Sequence, residues 1–237
     1  KIAAADDLVN YQHLQELSRE YGASFLYETN VGAGLPIIDT LKNLIASGDR
    51  IHKIQAVLSG SLNFVFNTYD GTAPFYKTVE QAMEEGYTEP DPKIDLSGVD
   101  VARKILILAR ESGLKMELSD IENESFLSEE SLNTENNEDF FSLLQEDESK
   151  FKAIYEDAAK DGAQLKYVAQ LEDGKASVGL QKVDAAHPFY NLSGSDNIVL
   201  FFTDRYSVQP LIVKGAGAGA DVTASGIFAD VIRIGKK

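Results

Sequence analysis

Apolar residues along this chain follow two periods, and the change between them divides it. Up to about residue 162 most spacings are helical. After Ala163 they alternate as strands. Asp6 or Asp7 can cap a first helix that turns Leu8, Tyr11, Leu14 and Leu17 inward, and Gly22 ends it. The run from Ala23 to Val31, with Phe25, Leu26 and Tyr27, predicts a buried strand. Leu35 to Ala46 predicts a helix with Leu35, Ile38, Leu41 and Ile45 inward, and Ile51 to Ser59 a strand. Gly60-Ser61-Leu62-Asn63 then reads as a turn opening a helix through Phe64 and Phe66. Pro74 to Glu85 is another helix.

The segment Ala82–Lys104 is the most heavily punctuated. Gly86 ends the preceding helix, and Pro90 and Pro92 push Glu89 and Asp91 toward extended backbone. A new helix follows, capped by Asp95 or Ser97, with Val101, Ile105, Leu106, Leu108 and Ala109 as its buried stripe to about Ser112. From Leu118 to Lys150 there are 11 acidic residues in 33 and one lysine, which predicts a solvated linker with short helices, where Phe140, Phe141 and Leu144 pack locally. Residues 151–162 look helical. Strands are expected at Gln164–Leu171, Ala176–Val183, Ile198–Thr203 and Gln209–Val213. A glycine run, Gly215 to Gly219, leads into a last helix through Val222, Ile227, Val231 and Ile232. Helices early and strands late predict an α+β fold: a mixed, largely antiparallel sheet with helices packed on one face.

Composition narrows the function. At 237 residues and 43% hydrophobic, the chain can bury a sizeable core. A net charge of −16 argues against nucleic acid or an anionic membrane as partner. No apolar run is long enough to span a bilayer and no secretory leader is visible, so the expectation is a cytoplasmic protein. With no cysteine, disulfides and thiolate chemistry are excluded. His13, His52 and His187 lack ligand spacing and read as ordinary residues. Neither glycine run is a dinucleotide fingerprint: after Gly32 and Gly34 the third glycine would fall on Ile37, and the run from Gly215 has the wrong spacing. The second run still offers backbone amides at a helix N-terminus, where anionic or polar groups bind well.

Candidate chemistry gathers in the punctuated segment. Glu89, Asp91, Asp95 and Asp100 crowd one loop and the first turns of one helix, with Lys104 among them. Asp100 and Lys104 share a face at i and i+4, which in isolation is a surface ion pair worth about 0.3–0.5 kcal/mol. Amid clustered carboxylates, a lysine stays charged and positioned, and can exchange a proton with a reacting oxygen.

Ala82, Gly86, Tyr87, Thr88, Pro92, Asp95, Leu96, Gly98, Asp100 and Lys104 fit the homoserine dehydrogenase signature with no gap. The chain resembles that family from Lys1 to its C-terminus, most closely the homoserine dehydrogenase part of bifunctional aspartokinase–homoserine dehydrogenases. The resemblance implies a catalytic and dimerisation domain over 1–237, with a fold like the C-terminal domain of glyceraldehyde-3-phosphate dehydrogenase. It implies NADP(H)- or NAD(H)-dependent interconversion of aspartate 4-semialdehyde and homoserine, with the nucleotide bound mainly by a domain that precedes this one, so that this domain alone is inactive.

In that reading Lys104 transfers the proton, with Glu89 beside it. Asp100 holds the substrate ammonium, and Asp95, Tyr87, Gly60 and Ser61 shape the pocket. Lys1, Gly86, Glu89, Gly217 and above all Gly219 lie toward the cofactor. Backbone carbonyls of Glu28, Val31, Ala33 and Leu35 hold a monovalent cation, Na+. The family also implies a homodimer through the sheet, expected on the apolar residues Leu165, Tyr167, Val168, Val178 and Leu180, and an aspartokinase fusion in the full protein. The alternative is a non-catalytic dimerisation or regulatory domain of a bifunctional aspartokinase.

Overall fold

The first helix starts where an acidic side chain can hold its free amides. Asp7 accepts the Asn10 N–H at 2.7 Å and opens α1 (Leu8–Glu20). The structure is a computed structural model that describes residues 3–236. The chain continues through α2 (Ile37–Ala46), β1 (Ile51–Val57), α3 (Gly60–Thr68), α4 (Phe75–Glu84), α5 (Pro92–Leu96) and α6 (Val99–Glu111). Next come β2 (Glu122–Glu124), α7 (Glu129–Leu132), α8 (Asn137–Glu146) and α9 (Glu148–Lys160). The C-terminal third holds β3 (Gln164–Glu172), β4 (Lys175–Val183), β5 (Asp196–Thr203), β6 (Leu211–Ala216) and α10 (Ala220–Gly235).

The six strands form one sheet in the order β2-β4-β3-β1-β5-β6. Every neighbour is antiparallel except the β2–β4 pair, so the expected mixed, largely antiparallel sheet is present. Strand alternation sends one set of side chains toward the helices. Ile54 and Ala56 of β1, Tyr167 and Ala169 of β3, and Val199 and Phe201 of β5 join the apolar stripe of α6 in the main core. The opposite face is smaller and differently covered. There Val57, Val168, Ile198 and Leu200 pack beneath Phe189 and Leu192 of the connection between β4 and β5.

Several expectations change. No strand forms over residues 23–31: residues 23–27 carry no regular secondary structure, a 3-10 turn follows over Glu28–Asn30, and turn backbone continues through residues 31–34. Its apolar residues pack as a loop, a choice that periodicity cannot distinguish from a strand. In α2, Leu44 is buried and Ile45 is exposed. The acidic stretch is no linker. It supplies β2 and three helices, and Phe140 and Leu144 are fully buried in the main core. The apolar residues assigned to a dimer face are covered within the chain: Leu165, Tyr167, Val178 and the half-buried Leu180 face the helices, and Val168 lies under the β4–β5 connection.

Asp95 does not cap α6, and Ser97 only lends its hydroxyl to the first amide, accepting the Val99 N–H at 3.3 Å. Asp91 caps α5 instead, accepting the Lys93 N–H at 3.1 Å, and Gly98 takes the N-cap position of α6 at φ 73° with no side-chain cap. The reason is space as well as conformation. A Cβ at position 98 would collide with the Tyr167 hydroxyl. That hydroxyl donates to Asn123 Oδ1 at 3.0 Å, and Asn123 Nδ2 donates to the Ser97 carbonyl at 3.0 Å. The α5–α6 joint is thus pinned to the middle of the sheet and to β2.

Gly98→Ala should therefore be costly. A left-handed alanine costs about 1–2 kcal/mol, and overpacking adds about 1–3 kcal/mol. Tyr167→Phe in the same chain should relieve only a fraction of the second part, because the ring Cζ would still lie 2.7 Å from the new Cβ, as read by urea unfolding. A loss below about 0.5 kcal/mol for Gly98→Ala, the size of an indifferent surface change, would contradict the close approach.

Candidate active site

The predicted site residues converge where β1 ends and α3 begins. Ser59 caps α3, accepting the Leu62 N–H at 3.1 Å, so Gly60 and Ser61 stand at a helix N-terminus with its unpaired amides. Gly60 needs its small size here, because a Cβ would press on Ser195, just before β5.

Gly86 closes α4 at φ 77°, with N–H bonds from Gly86 to Met83 O and from Tyr87 to Ala82 O at 3.1 and 2.8 Å. This delivers Tyr87 onto Phe64 of α3, ring centroids 4.0 Å apart and 16° from parallel. Asp95 fastens the same loop. Its Oδ2 accepts the Glu89 N–H at 2.8 Å, and its Oδ1 lies 2.8 Å from the Ser61 hydroxyl. That hydroxyl also lies 2.6 Å from the Tyr87 carbonyl, and its single proton serves one acceptor at a time. The Glu89 side chain is exposed beside them.

Lys104 comes from α6 toward the same corner. Its ammonium donates to the Leu58 carbonyl at 2.6 Å and pairs with Asp100 at 2.9 Å. The side chains of Lys104 and Asp100 are 11% and 34% exposed. The pair is therefore no freely solvated surface bridge: the cation is half enclosed and aimed at a strand end.

The second glycine run approaches from the other side. β6 pairs with β5, and Gly219 at φ 117° opens α10 with no side-chain cap. A Cβ at Gly217 would collide with the side-chain amide of Asn197. Asn197 is 1% exposed, and its Oδ1 and Nδ2 have no partner among the described residues. A helix N-terminus, a glycine cradle and an unpaired amide fit the polar reactive end of a nicotinamide cofactor. Lys1 lies outside the described residues.

The proposed cation loop packs against the start of α10: Gly34 lies against the Val222 backbone and Leu35 against Gly215. Val31 and Ala33 are buried, and Ala33 is held at φ 51°. The carbonyls of Glu28 and Leu35 already accept N–H bonds from Val31 and Ile37, at 3.3 and 2.9 Å. Each keeps a second lone pair, so the donor set still suits a hard monovalent cation. The Glu28 carboxylate does other work, accepting the Ile38 and Asp39 N–H groups at 2.7 and 2.8 Å at the start of α2. Burial pushes its pKa up to about 7, against the pull of those two donors. Among the described residues no three or more His, Asp or Glu side chains group as a metal site.

Two polar centres escape sequence reasoning. Lys166 is fully buried on the minor face of β3, bonded to Asn67 Oδ1 and, at 2.8 Å, to the Leu192 carbonyl. Burial lowers its pKa to about 8. Alternation marks position 166 as outward, and the β4–β5 connection together with Asn67 of α3 buries it. Glu111, at the end of α6, gathers the Tyr11 hydroxyl at 2.9 Å, the Tyr27 hydroxyl, and Lys42 at 3.3 Å. Burial first, and then the carboxylate, raise the pKa of both tyrosines.

Residues 36–232 match the family model described as homoserine dehydrogenase. Over 241 residues the chain is 45% identical to a homoserine dehydrogenase of Schizosaccharomyces pombe, covering 98% of the chain and 64% of that protein. It is likewise 45% identical over 236 residues to a chloroplastic bifunctional aspartokinase/homoserine dehydrogenase 2 of Zea mays, covering 99% of the chain but only 26% of that protein. A solved hyperthermophilic archaeal homoserine dehydrogenase in complex with NADPH superposes with a TM-score of 0.72 at 27% identity, covering 96% of this chain and 60% of that one.

The Asp95 links generate a local test. Asp95→Ala removes the acceptor of the Glu89 amide, so hydrogen exchange at residues 87–89 should accelerate while α6 stays protected. Unchanged exchange at Glu89 would mean that the loop is held by the Tyr87–Phe64 stack alone.

Proposed function

The chain belongs to the homoserine dehydrogenase family, and from that membership we propose that it forms the substrate-binding and catalytic half of an enzyme interconverting aspartate 4-semialdehyde and homoserine. The observation that carries this reading is the placement of Lys104. Its ammonium is half enclosed and held by the Leu58 carbonyl at 2.6 Å and by Asp100 at 2.9 Å. It stands where the α3 N-terminus and the Asp95-fastened loop meet.

In the reducing direction Lys104 gives a proton to the oxygen of the former aldehyde; in the oxidising direction it takes the hydroxyl proton back. Asp100 receives the substrate ammonium and holds Lys104 in place at 2.9 Å. Asp95 and Ser61 hold Tyr87 and Glu89 as one wall of the pocket, and the Gly60 backbone forms its floor. Bound NADP(H), or NAD(H), supplies or accepts the hydride at the substrate carbon. Gly86, Glu89, Gly217 and Gly219 face it, while most of the nucleotide binds outside this domain, since neither glycine run here has the dinucleotide spacing. The NADPH complex of the archaeal relative supports the phosphorylated form. The loop carbonyls of Glu28, Val31, Ala33 and Leu35 take the Na+ role, and the bifunctional relatives support an aspartokinase fusion.

We also assign a homodimer through the minor sheet face. Val208 is 89% and Ile212 45% exposed, and a groove of about 590 Å³ is lined by residues that include Gln55, His187, Phe202, Pro210 and those two. Light scattering at micromolar concentration should give twice the chain mass, and the monomer mass alone rejects the assignment.

The catalytic test uses the full-length protein. Lys104→Ala should lower kcat and kcat/KM together, by about 10²–10⁴-fold. Asp100→Ala should chiefly raise the homoserine KM. If Lys104→Ala keeps kcat within about threefold, far below a general-acid contribution, the proton role passes to Glu89.

A further inference from the structure

The mechanism leaves the buried Asn197 unused. Asn197 is the second residue of β5, is 1% exposed, and offers an amide with neither its oxygen nor its nitrogen partnered among the described residues. Buried amides are nearly always paired, because leaving donor and acceptor bare forfeits their hydration with no return. An apolar side chain of similar shape would avoid that cost.

Its position is specific. Ile198, the next residue, pairs with Val57 across the β1–β5 ladder. Leu58, whose carbonyl holds Lys104, follows Val57. Asn197 and the Lys104 anchor therefore share one end of the same ladder. On its other side Asn197 touches the Gly215–Gly219 segment, where Gly217 alone leaves room for the amide. Asn197 pairs with Gly215 in the β5–β6 ladder, so the segment is hinged directly at this residue. With glycine at three of five positions, the segment can change its backbone conformation at little cost.

We propose that Asn197 is a positioning residue for the nucleotide: its amide is the anchor of a second arrangement of Gly215–Gly219, adopted when the reactive end of the nicotinamide cofactor is bound. In that arrangement a segment N–H donates to Asn197 Oδ1 and a segment carbonyl accepts from Nδ2. The bare amide raises the energy of the free state, and its pairing favours the bound one. The inference rests on the nucleotide reading above and adds to it the residue that shapes the glycine segment.

The test uses the full-length protein in four forms: wild type, Asn197→Leu, Gly217→Ala, and Asn197→Ala with Gly217→Ala. The readouts are NADPH affinity by fluorescence titration, thermal midpoint, and hydrogen exchange at residues 215–219. Asn197→Leu should keep or raise the midpoint of the free protein. It should weaken NADPH binding at least tenfold and abolish the slowing of exchange that NADPH causes at 215–219. Gly217→Ala alone should lower the midpoint by the collision. In the double variant the new methyl occupies the space the amide left, so the midpoint should recover while NADPH binding stays weak.

If the double variant binds NADPH within threefold of wild type, Asn197 serves packing only and the proposal fails. If Asn197→Leu lowers the midpoint without changing NADPH affinity, the amide holds a buried water only, and the proposal again fails. Wild type that does not bind NADPH overturns the nucleotide reading itself, an outcome distinct from equal binding by all four forms.

Discussion

A lysine ammonium partly withdrawn from water must be given oxygen partners, and that requirement at Lys104 ties the molecule together. Asp100 lies a helical turn away on α6, and the Leu58 carbonyl lies at the end of a central strand. Meeting both fixes how α6 lies against β1. The rest of the corner follows from that contact. Leu58 leads directly into Ser59, the cap of α3, so the helix that presents Gly60 and Ser61 starts beside the same carbonyl. The Gly98 joint sets where α6 begins, and the Tyr167 hydroxyl pressed against it locates the joint over the sheet. Strand, two helices and loop are registered to one cation.

The parts of this arrangement legible in the sequence are the local ones. Gly86 ending α4, the break at Pro90 and Pro92, and the Asp100–Lys104 spacing all depend on residues within a few positions. The strands of the C-terminal third were equally readable, because alternation with short turns leaves little choice. What could not be read depends on partners far away. Ser61 meets Asp95 from 34 positions off, and Gly98 is required by a tyrosine in β3. β2, three residues with two glutamates, has no strand pattern at all; only β4 beside it makes it one. The apolar run before Glu28 shows the converse failure, a strand-like composition with no neighbour to pair with.

Charge is distributed to match. The excess of carboxylates is spent on the surface and on capping, and buried acids are few and occupied. Glu28 caps α2, Asp49 accepts the Thr203 hydroxyl at 2.9 Å, and Asp230 accepts the Glu28 N–H at 3.2 Å. The buried bases are treated differently. Arg110 is surrounded by carbonyls and Glu117, whereas Lys166 has only neutral acceptors. Neutral acceptors do not offset the lost hydration of an ammonium, which is why its pKa falls to about 8.

The shortness of β2 bears on how the protein behaves in crowded solution. A sheet edge is a template for another chain, and long flat apolar edges lead to fibres. Here one edge is three exposed residues, Glu122, Asn123 and Glu124, and the asparagine is already bonded inward to the α5–α6 joint. A second strand arriving there would find at most a few ladder bonds and two like charges. Along Ser177–Gly179 of β4, strand-by-strand growth is therefore opposed by the same residues that secure the helix joint.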